Sequence, residues 1–345
     1  MINSFKVLSF GELLLRLSAP GNSKLFQKDS FDISFCGAEA NVAVSLAEFG
    51  IDSSFVTRIV DSDVGRAAVR SLNYFGVDTS NVIYGDGRMG LYYLEKGVSQ
   101  RPSNIIYDRE NSSIAKSKVE DYDWEKILDG VDWFHWTGIN PALSERMPLI
   151  CESACKEAKN RGITVSCDLN YRSKLWTPEE ARAIFPSLMR YVDICICNEE
   201  DADNTLGIKP SDTDVETGKL SRKGYEEVAK QIVSRFGCRY VATTLRKSYS
   251  ASRNGWSSIL YDSTNEKSFY SKEYDIQIVD RVGSGDSFAA GLIYAMGQKM
   301  ECQEVVEFAT AASCLKHTIE GDYNRVTVSD VEKLLRSGGN GRVCR

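Results

Sequence analysis

Apolar residues along this chain recur with two alternating periods, one of strands and one of helices. Phe-Lys-Val-Leu-Ser-Phe at 5–10 predicts a strand that stops at Gly11. Val42, Leu46 and Phe49 fall at helical spacing, predicting a helix over 40–49 with Gly50 at its C-terminal cap. The rhythm then repeats: helix 123–128, strand 131–136, helix 149–158 closing before Gly162, strand 163–168. Thr177-Pro178-Glu179-Glu180 marks another helix start, with a Thr cap, Pro at the first helical position and Glu three residues after the cap. A strand at 192–197, a helix at 225–236 closed by Gly237 and a strand at 240–245 follow. Alternation of this kind implies an α/β fold, a mainly parallel sheet flanked by helices on both faces.

Two segments break the rhythm. Phe31, Ile33 and Phe35 alternate within 13–35, and Leu91-Tyr92-Tyr93-Leu94 and Ile105-Ile106-Tyr107 flank a turn-rich stretch within 88–109. Strands without intervening helices predict a small antiparallel sheet standing off the main one. The alternative is a pair of hairpins lying flat on the core. The expected organisation is therefore a core of 1–11, 36–87 and 114–336, a β-sheet lid of 12–35 and 88–113, and a disordered tail at 337–345.

Composition narrows the partners. A net charge of −6 over 345 residues argues against nucleic acid, which requires a basic face. The first residues lack a basic region followed by an apolar run, and no stretch reaches the roughly 20 apolar residues of a membrane span, so no membrane partner and a cytoplasmic location are expected. The ten cysteines do not form C-x-x-C pairs and the only histidines are His135 and His317, a poor basis for zinc. Reduced cysteines acting as small buried hydrophobes are expected instead.

Gly85-Asp86-Gly87-Arg88-Met89-Gly90 matches G-x-G-x-x-G, but a strand pattern follows where a dinucleotide site needs a helix. A hairpin turn is the expectation there. More informative is Asp280-Arg281-Val282-Gly283-Ser284-Gly285-Asp286, which opens an apolar helix. Glycines let the backbone approach a ligand, and free N–H groups with the helix dipole suit a phosphate or a developing anion. Asp286, in the first turn, is placed either to accept a proton from a bound hydroxyl or simply to cap the helix.

That stretch resembles the C-terminal signature of the ribokinase-like (PfkB) carbohydrate kinases. Cys36-Gly37-Ala38-Glu39-Ala40-Asn41-Val42-Ala43 resembles the N-terminal one, and the resemblance spans essentially the whole chain. Cys36 stands where a glycine is usual, and Arg281-Val282 where Thr-Thr or Thr-x is usual, which puts a monovalent-cation site near Asp280 in doubt. Within the family the chain is most similar to 2-keto-3-deoxygluconate kinases, through Gly11–Leu17, Gly90-Leu91-Tyr92, Tyr107-Asp108-Arg109, Asp168–Arg172, Asn198-Glu199-Glu200-Asp201, Asn254-Gly255-Trp256 and Gly321–Asn324.

The resemblance implies a ribokinase-like fold, and MgATP as phosphoryl donor to a hydroxyl of a sugar acid. It implies Asp286 as base and Gly283, Ser284 and Gly285 as an anion hole. Gly37, Asn41, Tyr92, Tyr107, Arg109 and Arg172 match sugar positions. Asn198, Asp201, Thr244 and Arg246 match the ATP and magnesium region, with no direct protein ligand to the metal expected, since Asp201 stands where a longer Glu is usual. A homodimer through the lid is also expected. A neutral sugar (fructose, ribose) or a nucleoside is the alternative substrate, and a catalytically silent sugar-binding protein the alternative class.

Overall fold

The computed structural model describes residues 4–198, 200–209 and 222–338. In chain order the strands are β1 (Lys6–Phe10), β2 (Leu14–Ser18), β3 (Asp32–Cys36), β4 (Asp52–Val56), β5 (Arg58–Val60), β6 (Ile83–Gly85), β7 (Leu91–Glu95) and β8 (Asn104–Asp108). Then come β9 (Trp133–Thr137), β10 (Thr164–Asp168), β11 (Ile194–Cys197), β12 (Tyr240–Ser250), β13 (Arg253–Asp262), β14 (Lys267–Tyr270) and β15 (Tyr274–Gln277).

The main sheet runs β14-β13-β12-β11-β10-β9-β1-β4, with β15 also on β13. From β4 to β12 every neighbouring pair is parallel; β13, β14 and β15 add an antiparallel edge. Its parallel strands are almost wholly buried, as both faces are covered by helices. One face packs on Met147–Asn160, Pro178–Met189 and Arg222–Phe236, the other on Ser284–Gly297 and Cys302–Lys316, giving two apolar cores. The Thr177 capping box forms as expected, Thr177 accepting from the Glu180 N–H while Glu180 accepts from the Thr177 N–H. β12 extends five residues past the expected end at 245, because pairing with β13 carries the hairpin beyond the helix-covered core.

The second sheet is β3-β2-β7-β8. It stands apart from the main sheet, but it is not wholly antiparallel as the sequence suggested. β2–β3 and β7–β8 are antiparallel pairs that join side by side through β2 and β7, which run parallel. Alternation had no means of reporting strand direction. The segment 85–90 is not a hairpin turn either: Gly85 ends β6, which pairs with β5, and Leu91 opens β7 in the other sheet. No helix follows it.

Alternate residues of the lid face inward. Leu14, Cys36, Tyr92 and Leu94 are buried together, with Ile105, Tyr107 and Val282 against them. The opposite face exposes Ile33 (68%), Ile106 (44%) and, beside it, Phe26 (70%). Phe26, Phe31 and Tyr93 form a small ring cluster there. The lid tip rests on the β12–β13 hairpin, Ala251 donating its N–H to the Ser99 carbonyl at 2.8 Å.

All nine cysteines within the described residues are free, and seven are buried. The expected tail begins two residues too early, since Ser337 ends a helix (Val328–Ser337) and Gly338 caps it at φ 63°. The rest of that tail, 339–345, lies outside the described residues, as does Glu199. Among the described residues no helix is long and apolar enough to cross a membrane.

Candidate functional site

Because the core strands are parallel, their carboxyl ends collect on one side, where ligands of open α/β sheets bind. A cavity of about 570 Å³ lies there, between the lid and the core. Glu12 follows β1, Asp168 ends β10, Asn198 follows β11, and Thr244 and Arg246 share one face of β12; all line it. From the lid come Tyr92, Tyr107 and Arg109, and from two helix starts come Gly37 with Asn41, and Gly283, Ser284 and Gly285 with Asp286. Every residue matched to the sugar, base, anion-hole or nucleotide positions therefore lines the same cavity, Arg172 and Asp201 included.

The loop before helix Ser284–Gly297 is shaped by Gly283, at φ 82°. A Cβ there would lie 2.1 Å from the Asp322 carbonyl oxygen, so both conformation and space demand glycine. Gly37 is constrained by space alone, a Cβ meeting the Glu12 carbonyl oxygen at 2.0 Å. Helix Ala38–Glu48 begins next to it and carries Asn41, whose Nδ2 donates to Asp286 Oδ2 at 2.6 Å. The two sequence signatures thus meet through one hydrogen bond. Burial raises the Asp286 pKa to about 6, against the opposing pull of the Asn41 hydrogen bond and the Arg172 charge.

The two arginines that match sugar positions differ. Arg109 is buried and donates through Nε, at 2.8 Å, and through Nη2 to Glu12 Oε2. Its charge is already compensated by Glu12. Its Cζ also lies 5.3 Å from the centroid of the Tyr107 ring. Arg172 has no carboxylate within ion-pair distance among the described residues; Nη1 donates to the Tyr171 carbonyl at 3.3 Å. It faces the fields of Asp168, Asp201 and Asp286 without bonding to them.

Asp201 accepts the N–H groups of Tyr171 and Asn198, each at 3.0 Å, and so shapes the loops after β10 and β11. Asn198 in turn accepts from the Glu200 and Asp201 N–H groups through Oδ1. Asp168 accepts from Asn170 Nδ2, and its pKa lies well above the usual carboxylate range because of burial, reinforced by Asp201 and Asp286. Burial likewise raises Asp201. No group of three or more His, Cys, Asp and Glu side chains suited to a metal gathers among the described residues.

Sequence reasoning quoted Glu12, Arg16, Asp168 and Asp322 within motifs but gave them no role. Arg16 reaches from β2 to the loop before helix Ser284–Gly297, Nη2 donating to Asp280 at 2.6 Å, Nη1 to Asp322 and Nε to Ser18 at 2.6 Å. Tyr92 adds its hydroxyl to Asp322 at 2.7 Å. The small sheet and the loop before helix Ser284–Gly297 are thus joined by a buried ion network. Its bonds to Asp280 and Asp322 join residues more than 200 positions apart, so no local spacing could have revealed it.

The sequence matches the pfkB family carbohydrate kinase description over residues 4–327. A solved 2-dehydro-3-deoxygluconokinase from Thermotoga maritima is 48% identical, with a TM-score of 0.92, covering 96% of this chain and 99% of that one. A 2-dehydro-3-deoxygalactonokinase from Haloferax volcanii is 29% identical over 97% of this chain and 98% of its own length. A 2-dehydro-3-deoxygluconokinase from Thermoproteus tenax is 26% identical over 96% and 94% respectively. With both signatures converging on one cavity and the match spanning nearly the whole sequence, the chain belongs to the pfkB family of carbohydrate kinases.

Proposed function

We propose that this kinase transfers the γ-phosphoryl of MgATP to a hydroxyl of 2-keto-3-deoxygluconate. The observation that carries the reading is Asp286, a half-buried carboxylate at the start of a helix, sharing one cavity with Arg172, which has no ion pair among the described residues. Asp286 accepts the hydroxyl proton, held in orientation by Asn41. The backbone N–H groups at Gly283, Ser284 and Gly285 receive the transferring phosphoryl. Arg172 takes the sugar carboxylate, while Tyr92, Tyr107 and the Glu12–Arg109 pair line the sugar side. Thr244 and Arg246 face the nucleotide.

Magnesium screens the phosphate charge when bound. It normally keeps several waters and few carboxylate ligands, so Asp168 and Asp201, hard oxygen donors near Asn198, fit it through water. Its positive charge would also draw Asp168 back to the ionised form. Residues 12–35 and 88–113 act as a lid that closes over the sugar and excludes water.

The raised pKa of Asp286 sets a pH dependence. The base works only when ionised, so with a pKa near 6 its competent fraction falls about tenfold per pH unit below that value. The expected profile of kcat/KM rises with slope one up to about pH 6 and then levels. A profile flat down to pH 4.5 would remove Asp286 from the role of base.

The outer lid face suggests the oligomer. Ile33, Ile106 and Phe26 form an apolar surface on a sheet that needs a partner. Two lids packed face to face make a homodimer. Light scattering at micromolar concentration is expected to give twice the chain mass for the wild type and the single mass for Ile33→Glu. A wild-type monomer contradicts the proposal.

A further inference from the structure

The β13 wall of the cavity holds three side chains with no part in the transfer described above. Asn254 and Trp256 lie two residues apart on one face of β13, and His317 caps helix Cys302–Lys316. Strand order places them along the cleft. Glu12 and Ile139, just past β1 and β9, line the sugar end; Asp168 ends β10, Asn198 follows β11, and β13 is five strands from β1. At roughly 4.8 Å per strand that span is about 24 Å, enough for an acceptor and a donor end to end.

Each of the three presents a polar group that the protein leaves without a partner. The buried Asn254 amide makes no side-chain hydrogen bond among the described residues, and its Oδ1 is fully enclosed. Trp256 Nε1 is enclosed and unpartnered as well. His317 Nδ1 lies 2.8 Å from the Ser313 carbonyl oxygen, a contact that requires the ring hydrogen on Nδ1. Burial lowers the His317 pKa to about 4 against the pull of that hydrogen bond, so the imidazole is neutral and Nε2 is an acceptor. The His317 and Trp256 rings meet edge to face, centroids 5.0 Å apart.

Buried polar groups without a partner destabilise a fold, and one explanation for keeping them is a ligand that supplies the missing bonds. Here the groups are an uncharged amide, an indole and a neutral imidazole. That chemistry suits a flat heterocycle with its own donors and acceptors. We propose that Asn254, Trp256 and His317 form the nucleobase subsite of the phosphoryl donor and select adenine, the amide reading the N6–N7 edge beside the two rings. The inference rests on the reading of the cavity as a nucleotide-dependent kinase site. Adenine presents a donor at N6 and an acceptor at N7, which an asparagine amide matches with both of its groups. Guanine presents two acceptors on that edge, O6 and N7, and so leaves the amide oxygen and the lone pair of His317 Nε2 unmatched.

The test is calorimetric binding of ATP, GTP and inorganic tripolyphosphate, with magnesium and without sugar, to the full-length wild type, Asn254→Leu and Asn254→Ser. Leucine keeps the bulk and removes both polar groups; serine adds no bulk and covers the case in which leucine misfolds. The wild type is expected to bind ATP at least about tenfold tighter than GTP. Both variants should weaken ATP by roughly 5- to 150-fold, bring ATP and GTP within about threefold, and change tripolyphosphate by under about twofold. The ligand-free melting temperature of Asn254→Leu should hold or rise, because an unpartnered amide gives way to an apolar side chain. Unchanged ATP affinity in the variants, or GTP binding as tightly as ATP in the wild type, overturns the proposal. Equal losses for ATP and tripolyphosphate overturn it too, by placing Asn254 at the phosphates or, with a lowered melting temperature, in a structural role. Absence of ATP binding by the wild type would refute the proposed function along with this subsite, whereas ATP binding that both variants retain refutes the subsite alone.

Discussion

Asp286→Asn is expected to lower kcat by about 10²- to 10⁴-fold while the sugar KM changes little. Asparagine keeps the size of the side chain and the start of helix Ser284–Gly297, so binding geometry survives. It cannot take the hydroxyl proton in the same way. It also loses the charge that orients Asn41 Nδ2, though its amide oxygen can still accept that hydrogen bond. A capping role predicts a different result. Exchange of a cap costs about 1 kcal/mol of stability and leaves turnover near wild type. Measuring kcat and melting temperature on the same preparation separates the two. Near wild-type kcat with reduced stability would identify a cap, and a large loss of kcat at unchanged stability a base.

The second large effect concerns Arg172. A charge-assisted hydrogen bond to a carboxylate is worth roughly 1.5–3 kcal/mol, so Arg172→Ala should reduce kcat/KM for the sugar acid by about 10- to 150-fold. Activity on fructose or ribose, which carry no carboxylate, should change far less. Arg109 predicts the contrast. Removing it leaves Glu12 buried without a counter-charge, which costs about 3–5 kcal/mol when the partner of a buried pair is deleted. Arg109→Ala is therefore expected to lower the melting temperature and to affect acid and neutral sugars alike. Equal discrimination losses in both variants would show that the carboxylate is shared, or that it lies elsewhere.

The fold was legible where local chemistry decides it. The Thr177 capping box and the apolar runs of β10 and β11 follow from neighbours in sequence. Periodicity marked the lid strands but left the direction of β2 against β7 undetermined, because alternation is the same in parallel and antiparallel pairs. It could not show that β6 and β7 belong to different sheets. The site divides in the same way. Gly283 and Asp286 announce themselves because a glycine turn and a helix start are local events. The Asn41–Asp286 bond came within reach only through the resemblance that paired the two signatures. Glu12 with Arg109, and Arg16 with Asp280 and Asp322, join residues with nothing local to mark them. Each matters because a buried charge must find its partner somewhere, and which partner is decided by packing.

The most direct test of the central claim is a panel of acceptors with MgATP as donor: 2-keto-3-deoxygluconate, its galacto epimer, fructose and ribose, each read as kcat/KM by ADP release and by detection of the phosphorylated sugar. The account predicts that a 2-keto-3-deoxy acid exceeds both neutral sugars by at least about tenfold, the contribution of one charge-assisted contact at Arg172. Equal or better turnover of fructose or ribose would contradict it.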